Sequence, residues 1–361
     1  MPNTPITRHK HQPQPDLATE RAPSKRRASW RTRLTQLGII VAALLTVSAI
    51  LMAGFFLRHR NQPEVIGVSF SPYQAERYGM DWRAAYVAVL DELQFKHLRL
   101  PAYWDQIEPQ PDQYNFAEVD WMLDEAAKRN AKVKLVIGQK LIRVPECYYP
   151  SWLDRNNADL VAERANKMLA VVVERYKDHP ALEAWQLENE FLLHSFGECP
   201  TQNLTTQALR RELATVRLID QTTPIMLTQS NQWGWPIIGP MTEYYGFSMY
   251  RTVWNGTFGY YVYPQRGIYN WWKAAIVEYL HPRTAVTIHE LQAEAWGPRG
   301  NEHISHEEAQ KSMSLTKLQD NILYARETNI KRFDLWGAEW WYAMKLQGHT
   351  EYWNYISSLE K

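Results

Sequence analysis

The chain has 361 residues, which is enough for one barrel domain of about 250 residues together with other segments. Its formal net charge of +1 argues against a nucleic-acid-binding protein, because such proteins usually carry a concentrated basic face. The charge is uneven: residues 1–60 hold ten Lys or Arg and two Asp or Glu, which leaves 30 basic and 37 acidic residues in 61–361. The larger part therefore has the composition of a mildly acidic soluble domain.

Two segments of different character precede that domain. Residues 1–35 are polar and basic, contain proline and lack apolar periodicity, so we predict a disordered tail. Residues 36–57 contain no charged side chain, and 22 helical residues span about 33 Å, enough for the hydrocarbon core of a bilayer. We therefore predict a transmembrane helix at 36–57 with the bilayer as its partner.

The flanking charges predict the orientation of this helix. Eight Lys or Arg residues precede it, and only Arg58 and Arg60 follow closely, so the N-terminus is expected in the cytoplasm. A cleaved signal peptide is the alternative, but its apolar core would be shorter and no small-x-small cleavage site follows. The sequence thus predicts a single-pass protein of the cell membrane whose domain at 61–361 lies outside the cytoplasm.

In residues 61–361, short apolar strand patterns alternate with amphipathic helix patterns. Strict alternation predicts a parallel sheet, and eight units over about 280 residues predict closure into a (β/α)8 barrel. The alternative is an open doubly wound sheet, but no glycine-rich phosphate loop follows the first strand. The fifth unit is the least regular, since the loop 232–236 precedes only a weak helix. The predicted strands are 65–70, 96–100, 132–138, 181–190, 225–227, 245–250, 284–290 and 331–336, and the predicted helices are 82–93, 116–129, 158–177, 204–220, 268–280 and 306–328.

Polar side chains stand at the carboxyl ends of the predicted strands, where barrel enzymes carry their active sites. The fourth and seventh strands end in Glu190 and Glu290, three places apart in a ring of eight, so the two carboxylates are expected to face each other across the mouth. Cleavage of a glycosidic bond needs two such carboxylates, and retention of configuration requires them to be about 5–5.5 Å apart. The polar or aromatic residues at these strand ends are Arg99, Asn189, Glu190, Tyr250, Glu290 and Trp336.

The stretch Leu98-Arg99-Leu100-Pro101-Ala102-Tyr103-Trp104-Asp105-Gln106-Ile107-Glu108-Pro109 resembles the second strand and following loop of the clan A glycoside hydrolases. This barrel superfamily includes cellulase-like family 5 and the β-galactosidase-type families, and the resemblance extends over about 65–341. It implies that Glu190 is the acid/base, Glu290 the nucleophile and Asn189 the partner of the sugar 2-hydroxyl. Arg99, Tyr250 and Trp336 match the positions of the second, sixth and eighth strands in this clan.

Glu294, a second carboxylate near the seventh strand, is the alternative nucleophile. By strand parity Glu290 shares a face with Ile288 and lies at the strand end, whereas Glu294 lies in the following loop. We therefore expect Glu290 to be the nucleophile. Glu188 has the parity of Glu190 but lies deeper in its strand, so we expect a structural role for it. The sequence departs from the clan in placing His289, where threonine is common, before the nucleophile.

The chain is rich in aromatic residues, with 16 Trp and 20 Tyr. Although most Trp side chains fill cores, flat aromatic faces also pack against pyranose rings, and we expect Trp104 and Trp296 to contact sugar. No HExxH, paired-Cys or clustered-His motif occurs, so no metal or other cofactor is predicted. The sequence thus predicts a retaining hydrolase of β-linked oligo- or polysaccharides; the alternative is an inactive barrel that binds carbohydrate or serves as a scaffold.

The chain has two cysteines, Cys147 and Cys199, which follow the third and fourth predicted strands. Loops after neighbouring strands leave the same face of a barrel side by side, so the two sulfurs are expected within bonding reach. The predicted compartment is oxidising enough to preserve the bond. We therefore predict a disulfide; two unrelated buried thiols are the alternative.

Overall fold

The computed structural model describes residues 30–194, 197–229 and 239–360. The chain divides into two compact units, Met1–Val47 and Ser48–Lys361. The predicted tail at 1–29 and the irregular loop at 232–236 lie outside the described residues.

Helix α1 (Trp30–His59) carries the predicted transmembrane segment. Within the described ranges it is the one helix long and apolar enough to cross a membrane. It begins six residues before the apolar stretch, so the prediction of disorder for 30–35 is wrong. Extending a formed helix adds one hydrogen bond for each residue fixed, and the residues at 30–35 include no Gly or Pro to stop it.

Eight parallel strands close into a barrel, as predicted. Around the ring, each strand pairs with the strand that follows it in the sequence, except that β6 pairs directly with β9. The barrel is closed by the pairing of β1 with β10, in which Val65 lies opposite Arg332. The remaining two strands form an antiparallel hairpin after β6, which the sequence patterns did not reveal. The strands are β1 (Val65–Ser69), β2 (His97–Pro101), β3 (Lys132–Ile137), β4 (Leu182–Leu187), β5 (Ile225–Gln229), β6 (Tyr244–Met249), hairpin strands β7 (Thr252–Asn255) and β8 (Gly259–Val262), β9 (Ala285–Gln292) and β10 (Arg332–Trp336).

Helices surround the barrel, and six of those described begin at a side chain that caps the first turn. Asp81 accepts from the backbone N of Arg83 at 2.9 Å, which satisfies a donor that the first turn of a helix leaves free. The single helix predicted at 306–328 is two helices, because Ser314 accepts from Lys317 N at 3.2 Å and starts a new one. The helices after α1 are α2 (Pro72–Arg77), α3 (Trp82–Asp91), α4 (Trp104–Ile107), α5 (Ala117–Lys128), α6 (Ala158–Tyr176), α7 (Thr206–Ile219), α8 (Gly267–Leu280), α9 (His306–Gln310), α10 (Leu315–Arg326), α11 (Ala338–Leu346) and α12 (Glu351–Ser357).

The strands are buried on both faces, which explains their continuous apolar character. The interior also encloses a hydrogen-bonded ion pair between Lys134 on β3 and Asp334 on β10. Because Gly67 has no Cβ, Asp334 fits against β1: a Cβ there would lie 2.2 Å from Asp334 Oδ1. These contacts join β1, β3 and β10 inside the barrel, and the strands in turn position the residues at their carboxyl ends.

Candidate active site

Glu190 and Glu290 meet at the carboxyl ends of β4 and β9. Both are buried, with 6% and 5% of their surfaces exposed. An oxygen of each carboxylate and a nitrogen of His289 all lie within 4.8 Å of one another. This approach is closer than the separation of about 6.5–9.5 Å by which inverting glycosidases leave room for a water molecule between their carboxyl groups.

The chain leaves β4 through a strained turn. Glu188 and Glu190 have φ values of 62° and 48°, in the left-handed region that costs a residue with a Cβ of order 1 kcal/mol. The backbone N of Glu190 donates to Thr228 Oγ1 at 2.9 Å, and Lys140 Nζ donates to its carbonyl oxygen at 3.0 Å. These bonds fix the backbone of Glu190 relative to β5 and to the loop after β3.

Donors engage both oxygens of Glu290. Arg99 Nη1 donates to Oε1 at 3.1 Å, and the Tyr250 hydroxyl donates to Oε2 at 2.9 Å. Burial, together with the charges of Glu290 and Glu190, raises the pKa of Tyr250 well above its usual range, so its hydroxyl keeps the proton it donates. Both oxygens of Glu290 therefore accept hydrogen bonds, one of them charge-assisted.

Arg99 also orients Asn189. Its Nη2 donates to Asn189 Oδ1 at 2.5 Å, and its Nε donates to Gln186 Oε1 at 2.6 Å. Because the carbonyl oxygen of Asn189 faces Arg99, its NH2 group is turned to the cleft that Asn189 lines. Arg99 is fully buried and joins strand ends around the ring, which explains how one guanidinium holds both Glu290 and Asn189 in place.

His289 lies between the two carboxylates. Its Nε2 is 3.4 Å from Glu190 Oε1 and 3.7 Å from Glu290 Oε1. The register of β9 shifts against both neighbouring strands in this region, and such bulges re-aim side chains next to active sites. Gly246 on β6 leaves the room, since a Cβ there would lie 2.8 Å from His289 Nδ1. Burial lowers the pKa of His289 to about 3, so the imidazole is neutral.

His289 and the two carboxylates are close enough to ligate one metal ion. Both oxygens of Glu290, however, already accept hydrogen bonds, one of them from the positive charge of Arg99. The donor set therefore suits an anionic carboxylate held by hydrogen bonds better than a cation site. A second group of ligand type in the described ranges is His306, His349 and Glu351, and it does not line the cleft.

The carboxylates open into a cleft of about 570 Å³. Its aromatic walls include Trp336, whose ring lies 4.0 Å from the Arg143 guanidinium, and Trp296, which meets Tyr250 edge-on with ring centroids 5.4 Å apart. Trp104 does not belong to this wall, so the prediction that it contacts sugar is wrong. It is fully buried on α4, and its Nε1 donates to Glu108 Oε2 at 2.8 Å, inside the core.

A second buried arginine stands beside the cleft. Arg143 Nη1 donates to Glu294 Oε1 at 2.5 Å, and its Nη2 donates to Glu339. Burial raises the pKa of Glu294 to about 7 against the opposing effect of Arg143. Sequence reasoning missed Arg143 and Glu339; the one available signal was a basic residue in the loop after the third strand.

The loop after β3 is fixed by Glu188 and by a disulfide. Glu188 accepts from the backbone N of Gln139 at 2.8 Å, and a Cβ on Gly138, where φ is 131°, would lie 2.2 Å from Glu188 Oε1. Glu188 thus has the structural environment expected for it. Cys147 and Cys199 are joined by a disulfide, with Cα atoms 5.3 Å apart.

Glu146, beside Cys147, was also missed from the sequence. It lines the cleft and pairs with Lys140 at 3.2 Å. Burial raises its pKa to about 7 although Lys140 opposes this, and the charge of Glu190 adds to the rise. Beside the pair at the strand ends, the cleft therefore contains a flanking carboxyl group whose pKa is raised by burial.

Comparison with known proteins finds glycosidases, in agreement with the resemblance stated from the sequence. The family model described as Beta-galactosidase, glycoside hydrolase family 42, matches residues 155–216, a segment that includes Asn189 and Glu190. A curated relative, Beta-galactosidase LacZ of Heyndrickxia coagulans, is 27% identical over 124 residues. The match covers 28% of this chain and 17% of that protein, so the chain spans about a sixth of the relative's length.

Two solved structures share the fold. An exo-beta-1,4-mannosidase from Opitutaceae bacterium strain TAV5 aligns with a TM-score of 0.53 and 15% identity, over 76% of this chain and 51% of that chain. A beta-galactosidase from the haloarchaeon Halorubrum lacusprofundi aligns with a TM-score of 0.51 and 13% identity, over 75% of this chain and 52% of that chain. At these identities the likeness establishes the (β/α)8 architecture.

Proposed function

We propose that this chain is a membrane-anchored retaining glycoside hydrolase that cleaves β-linked O-glycosidic bonds by double displacement. The observation that carries the proposal is the pair Glu190 and Glu290: two buried carboxylates at the carboxyl ends of two separated strands, with one oxygen of each within 4.8 Å of the other. The glycosidases found by family and fold comparison support the same reaction class.

In the first displacement, the Glu290 carboxylate attacks the anomeric carbon. The bond from that carbon to the leaving oxygen breaks with its electron pair, and the leaving oxygen takes the proton of Glu190. The products are a glycosyl ester on Glu290, the departing alcohol and an ionised Glu190. Arg99 and Tyr250 donate to the two oxygens of Glu290 and so orient its carboxylate for the attack.

In the second displacement, Glu190 acts as a base. It takes a proton from a water molecule, whose oxygen attacks the anomeric carbon from the face that the alcohol has left. The ester bond breaks with its electron pair on the Glu290 oxygen, which restores both carboxyl groups. Two inversions at one carbon give net retention.

The neighbouring side chains fit these steps. The Asn189 amide, turned to the cleft by Arg99, is placed to donate to a sugar hydroxyl, a bond that strengthens in the transition state. The neutral imidazole of His289, 3.4 Å from Glu190 and 3.7 Å from Glu290, separates the two carboxyl groups without adding a charge. Trp296 and Trp336 offer aromatic surface to the sugar ring.

The membrane part of the proposal rests on α1. It contains the apolar stretch at 36–57, and the eight basic residues before that stretch favour a cytoplasmic N-terminus. The barrel then lies outside the cytoplasm at the surface of the cell membrane. Protease added outside intact cells is expected to digest the barrel. If the barrel is protected until the cells are lysed, the orientation in the membrane is the opposite one.

Hydrolysis of 4-nitrophenyl β-glycosides, with galactose, glucose and mannose as first sugars, tests the activity. Glu190→Ala is expected to lose far more activity on substrates with poor leaving groups than on activated ones, because only the former need a proton from the acid. Azide, a nucleophile that needs no base, should then restore turnover and give a β-glycosyl azide. The matched control Glu302→Ala removes another cleft carboxylate, one paired with Arg77, and should show neither effect.

The product configuration and the wild-type rates decide the proposal. Proton NMR during hydrolysis should detect the β-anomer first. Initial formation of the α-anomer would contradict double displacement. Sugar binding by wild-type protein without hydrolysis of any β-glycoside in the panel would instead favour the inactive, carbohydrate-binding barrel.

A further inference from the structure

The segment after β6 exposes apolar side chains at the catalytic face. It starts beside Tyr250, forms the β7–β8 hairpin and returns to begin α8. Phe258, in the hairpin turn, is 79% exposed, and Val262 and Ile268 are 55% and 57% exposed. Single exposed apolar residues are common, but three large ones within residues 258–268 indicate a segment that contacts something apolar.

The outer face of α8 continues this apolar surface. Ile268, Trp272, Ile276 and Tyr279 follow one another at intervals of four, four and three residues, so they share one side of the helix. Ile268 and Tyr279 are exposed, and Trp272 and Ile276 are half-buried. A surface helix normally presents polar groups to solvent, whereas Trp and Tyr are the residues that concentrate where protein meets the headgroup region of a bilayer.

The last twelve residues of α1 belong to the barrel unit and run beside α8 in the same direction. Trp272 Nε1 donates to Ser48 Oγ, and Trp271 Nε1 donates to the carbonyl oxygen of Met52, each at 3.2 Å. Further along, His59 Nε2 lies 2.8 Å from Glu278 Oε2. Residues 48–59 therefore follow α8 from its first half to its last turn. The part of α1 that remains for the bilayer is Trp30–Val47, whose 18 helical residues span about 27 Å.

The direction of α8 shows on which side of the barrel the chain arrives. In a (β/α)8 barrel each helix starts near the carboxyl end of the preceding strand and runs back to the opposite end. The first half of α8 is therefore the half nearer the catalytic face, and Ser48 lies beside that half. Ser48, the first residue of the barrel unit, therefore lies towards the side of the barrel that carries Glu190 and Glu290.

We propose that the hairpin and the first turns of α8 rest on the bilayer that anchors α1, so that the cleft opens next to the lipid surface. The substrate class that fits this placement is a membrane-borne glycoside, a sugar whose aglycone is a lipid held in the same leaflet. This inference rests on the proposed glycosidase activity and on the proposed anchor. It adds to the anchor a second contact with the membrane, made by apolar side chains, and this contact would bring the cleft to a substrate in the same bilayer.

Photocrosslinking of the full chain in phosphatidylcholine nanodiscs tests the contact. A lipid that carries a diazirine near its headgroup is expected to label the tryptic peptides 252–266 and 267–273. Peptide 346–361, which bears Leu346 at 62% exposure, is the internal control and should remain unlabelled. Equal labelling of all three, or crosslinks that join peptide 252–266 of two chains, would overturn the proposal, the latter in favour of a second copy of the chain.

Kinetics in the same nanodiscs test the substrate class. The triple variant Phe258→Ser, Val262→Ser, Ile268→Ser should lower kcat/KM about tenfold for a hexadecyl β-glycoside in the bilayer, because three apolar side chains no longer leave water on docking. Hydrolysis of the water-soluble 4-nitrophenyl glycoside of the same sugar should be unchanged. Leu218→Ser, at an 81% exposed position on α7, is the matched control and should change neither rate.

These outcomes separate the inference from the proposed function. If the wild-type chain hydrolyses none of the soluble glycosides, the proposed glycosidase function is contradicted, whatever the labelling pattern. Normal soluble turnover with an unchanged bilayer rate in the triple variant counts against the docking surface alone. If the triple variant loses soluble activity as well, Ile268→Ser by itself replaces it, and an unchanged bilayer rate there also overturns the inference.

Discussion

Two buried arginine–carboxylate clusters flank the same cleft, and they are built differently. In the strand cluster, Arg99 on β2 pairs with Glu290 on β9. In the loop cluster, Arg143 lies in the loop after β3 and is shared between Glu294, past the end of β9, and Glu339 on α11. Both guanidinium groups lie near the ring of Trp336, at 5.7 Å for Arg99 and 4.0 Å for Arg143.

The difference lies in how charge is balanced. Glu290 has one arginine and, on its other oxygen, the Tyr250 hydroxyl, so its negative charge is matched. In the loop cluster one positive charge faces two buried carboxyl groups, and burial favours keeping a proton there, which agrees with the raised pKa of Glu294. A nucleophile must be ionised, so the strand cluster is the one suited to covalent chemistry, although both contain a glutamate of the cleft.

The largest expected effect separates the two glutamates. Glu290→Gln should lower kcat by about 10⁴-fold or more, because an amide cannot form the glycosyl ester, and a barrier increase of about 5.5 kcal/mol corresponds to that factor. Glu294→Gln should lower it by about tenfold or less, because the amide keeps the shape and much of the hydrogen bonding of a protonated carboxyl group. Steady-state hydrolysis of the same aryl glycoside by both variants measures the difference.

The reverse result would exchange the assignments. Full activity of Glu290→Gln together with an inactive Glu294→Gln would make Glu294 the nucleophile. Both variants require a circular dichroism spectrum like that of the wild type, so that a folding defect is not mistaken for lost chemistry.

The strand cluster could be predicted from the sequence, whereas the loop cluster could not. Alternation of strands and helices fixes the barrel, and the barrel places every strand end on one rim, so Arg99, Asn189, Glu190, Tyr250 and Glu290 could be brought together by counting strands. Arg143 lies in a loop, where no periodicity relates residue number to direction. Its approach to Glu339, almost two hundred residues later in the chain, depends on loop conformation alone.

The position of His289 and the direction of the Trp104 side chain could not be predicted from the sequence either, for related reasons. The bulge that puts His289 between the carboxylates breaks the two-residue period on which strand parity depends, so a parity argument places Glu290 but not its neighbour. Trp104 was assigned to the sugar site by its position after the second strand. The short helix α4 turns it inward to Glu108, and only the packing of the loop decides that direction.

A second prediction uses the disulfide, which pins the loop cluster but not the strand cluster. The sulfur bridge joins residues 52 positions apart, and closing a loop of that length stabilises a fold by about 3–4 kcal/mol. Arg143 and Glu146 in the bridged loop also have φ values of 72° and 69°, a conformation that surrounding contacts must hold. We therefore expect Cys147→Ser with Cys199→Ser to lower the free energy of unfolding by about that amount.

Guanidinium unfolding of the full chain in detergent micelles, followed by tryptophan fluorescence, measures this change. The activity should respond unequally: KM should rise, because the loop that carries Arg143 loosens, while kcat should fall less, because Glu290 is held by strands. The double alanine variant at the same two positions is the control for the added hydroxyl groups. Under non-reducing conditions, an unfolding curve of the double variant that coincides with that of the wild type would contradict the prediction.

The smallest expected effect is a pH dependence of stability that arises in the loop cluster. The pKa of Glu294 is raised to about 7 by burial, whereas the unfolded chain releases this proton near the ordinary value of 4.5. Between these two pH values the folded state binds more protons than the unfolded state, so the free energy of unfolding falls as pH rises. The contribution of Glu294 is present below pH 4.5 and is lost through pH 7, a change of about 1–3 kcal/mol.

Glu294→Gln should therefore flatten the decline in stability between pH 5 and pH 8 without abolishing it. Glu146 and Glu212, whose pKa values burial raises to about 7 as well, contribute declines of the same sign. The control is Glu183→Gln, which also removes a carboxylate paired with arginine. Burial tends to raise the pKa of Glu183, but a hydrogen bond from His97 and the charge of Arg332 lower it to about 2.

Because both the folded and the unfolded pKa of Glu183 lie below pH 5, its replacement should shift the whole stability curve without changing its slope between pH 5 and pH 8. Chemical unfolding of the three proteins at four pH values in this range measures the slopes. A slope unchanged in Glu294→Gln would mean that Glu294 is ionised beside Arg143 across the range. The loop cluster would then balance its charge as the strand cluster does, and the electrostatic reason for preferring Glu290 over Glu294 as the nucleophile would be lost.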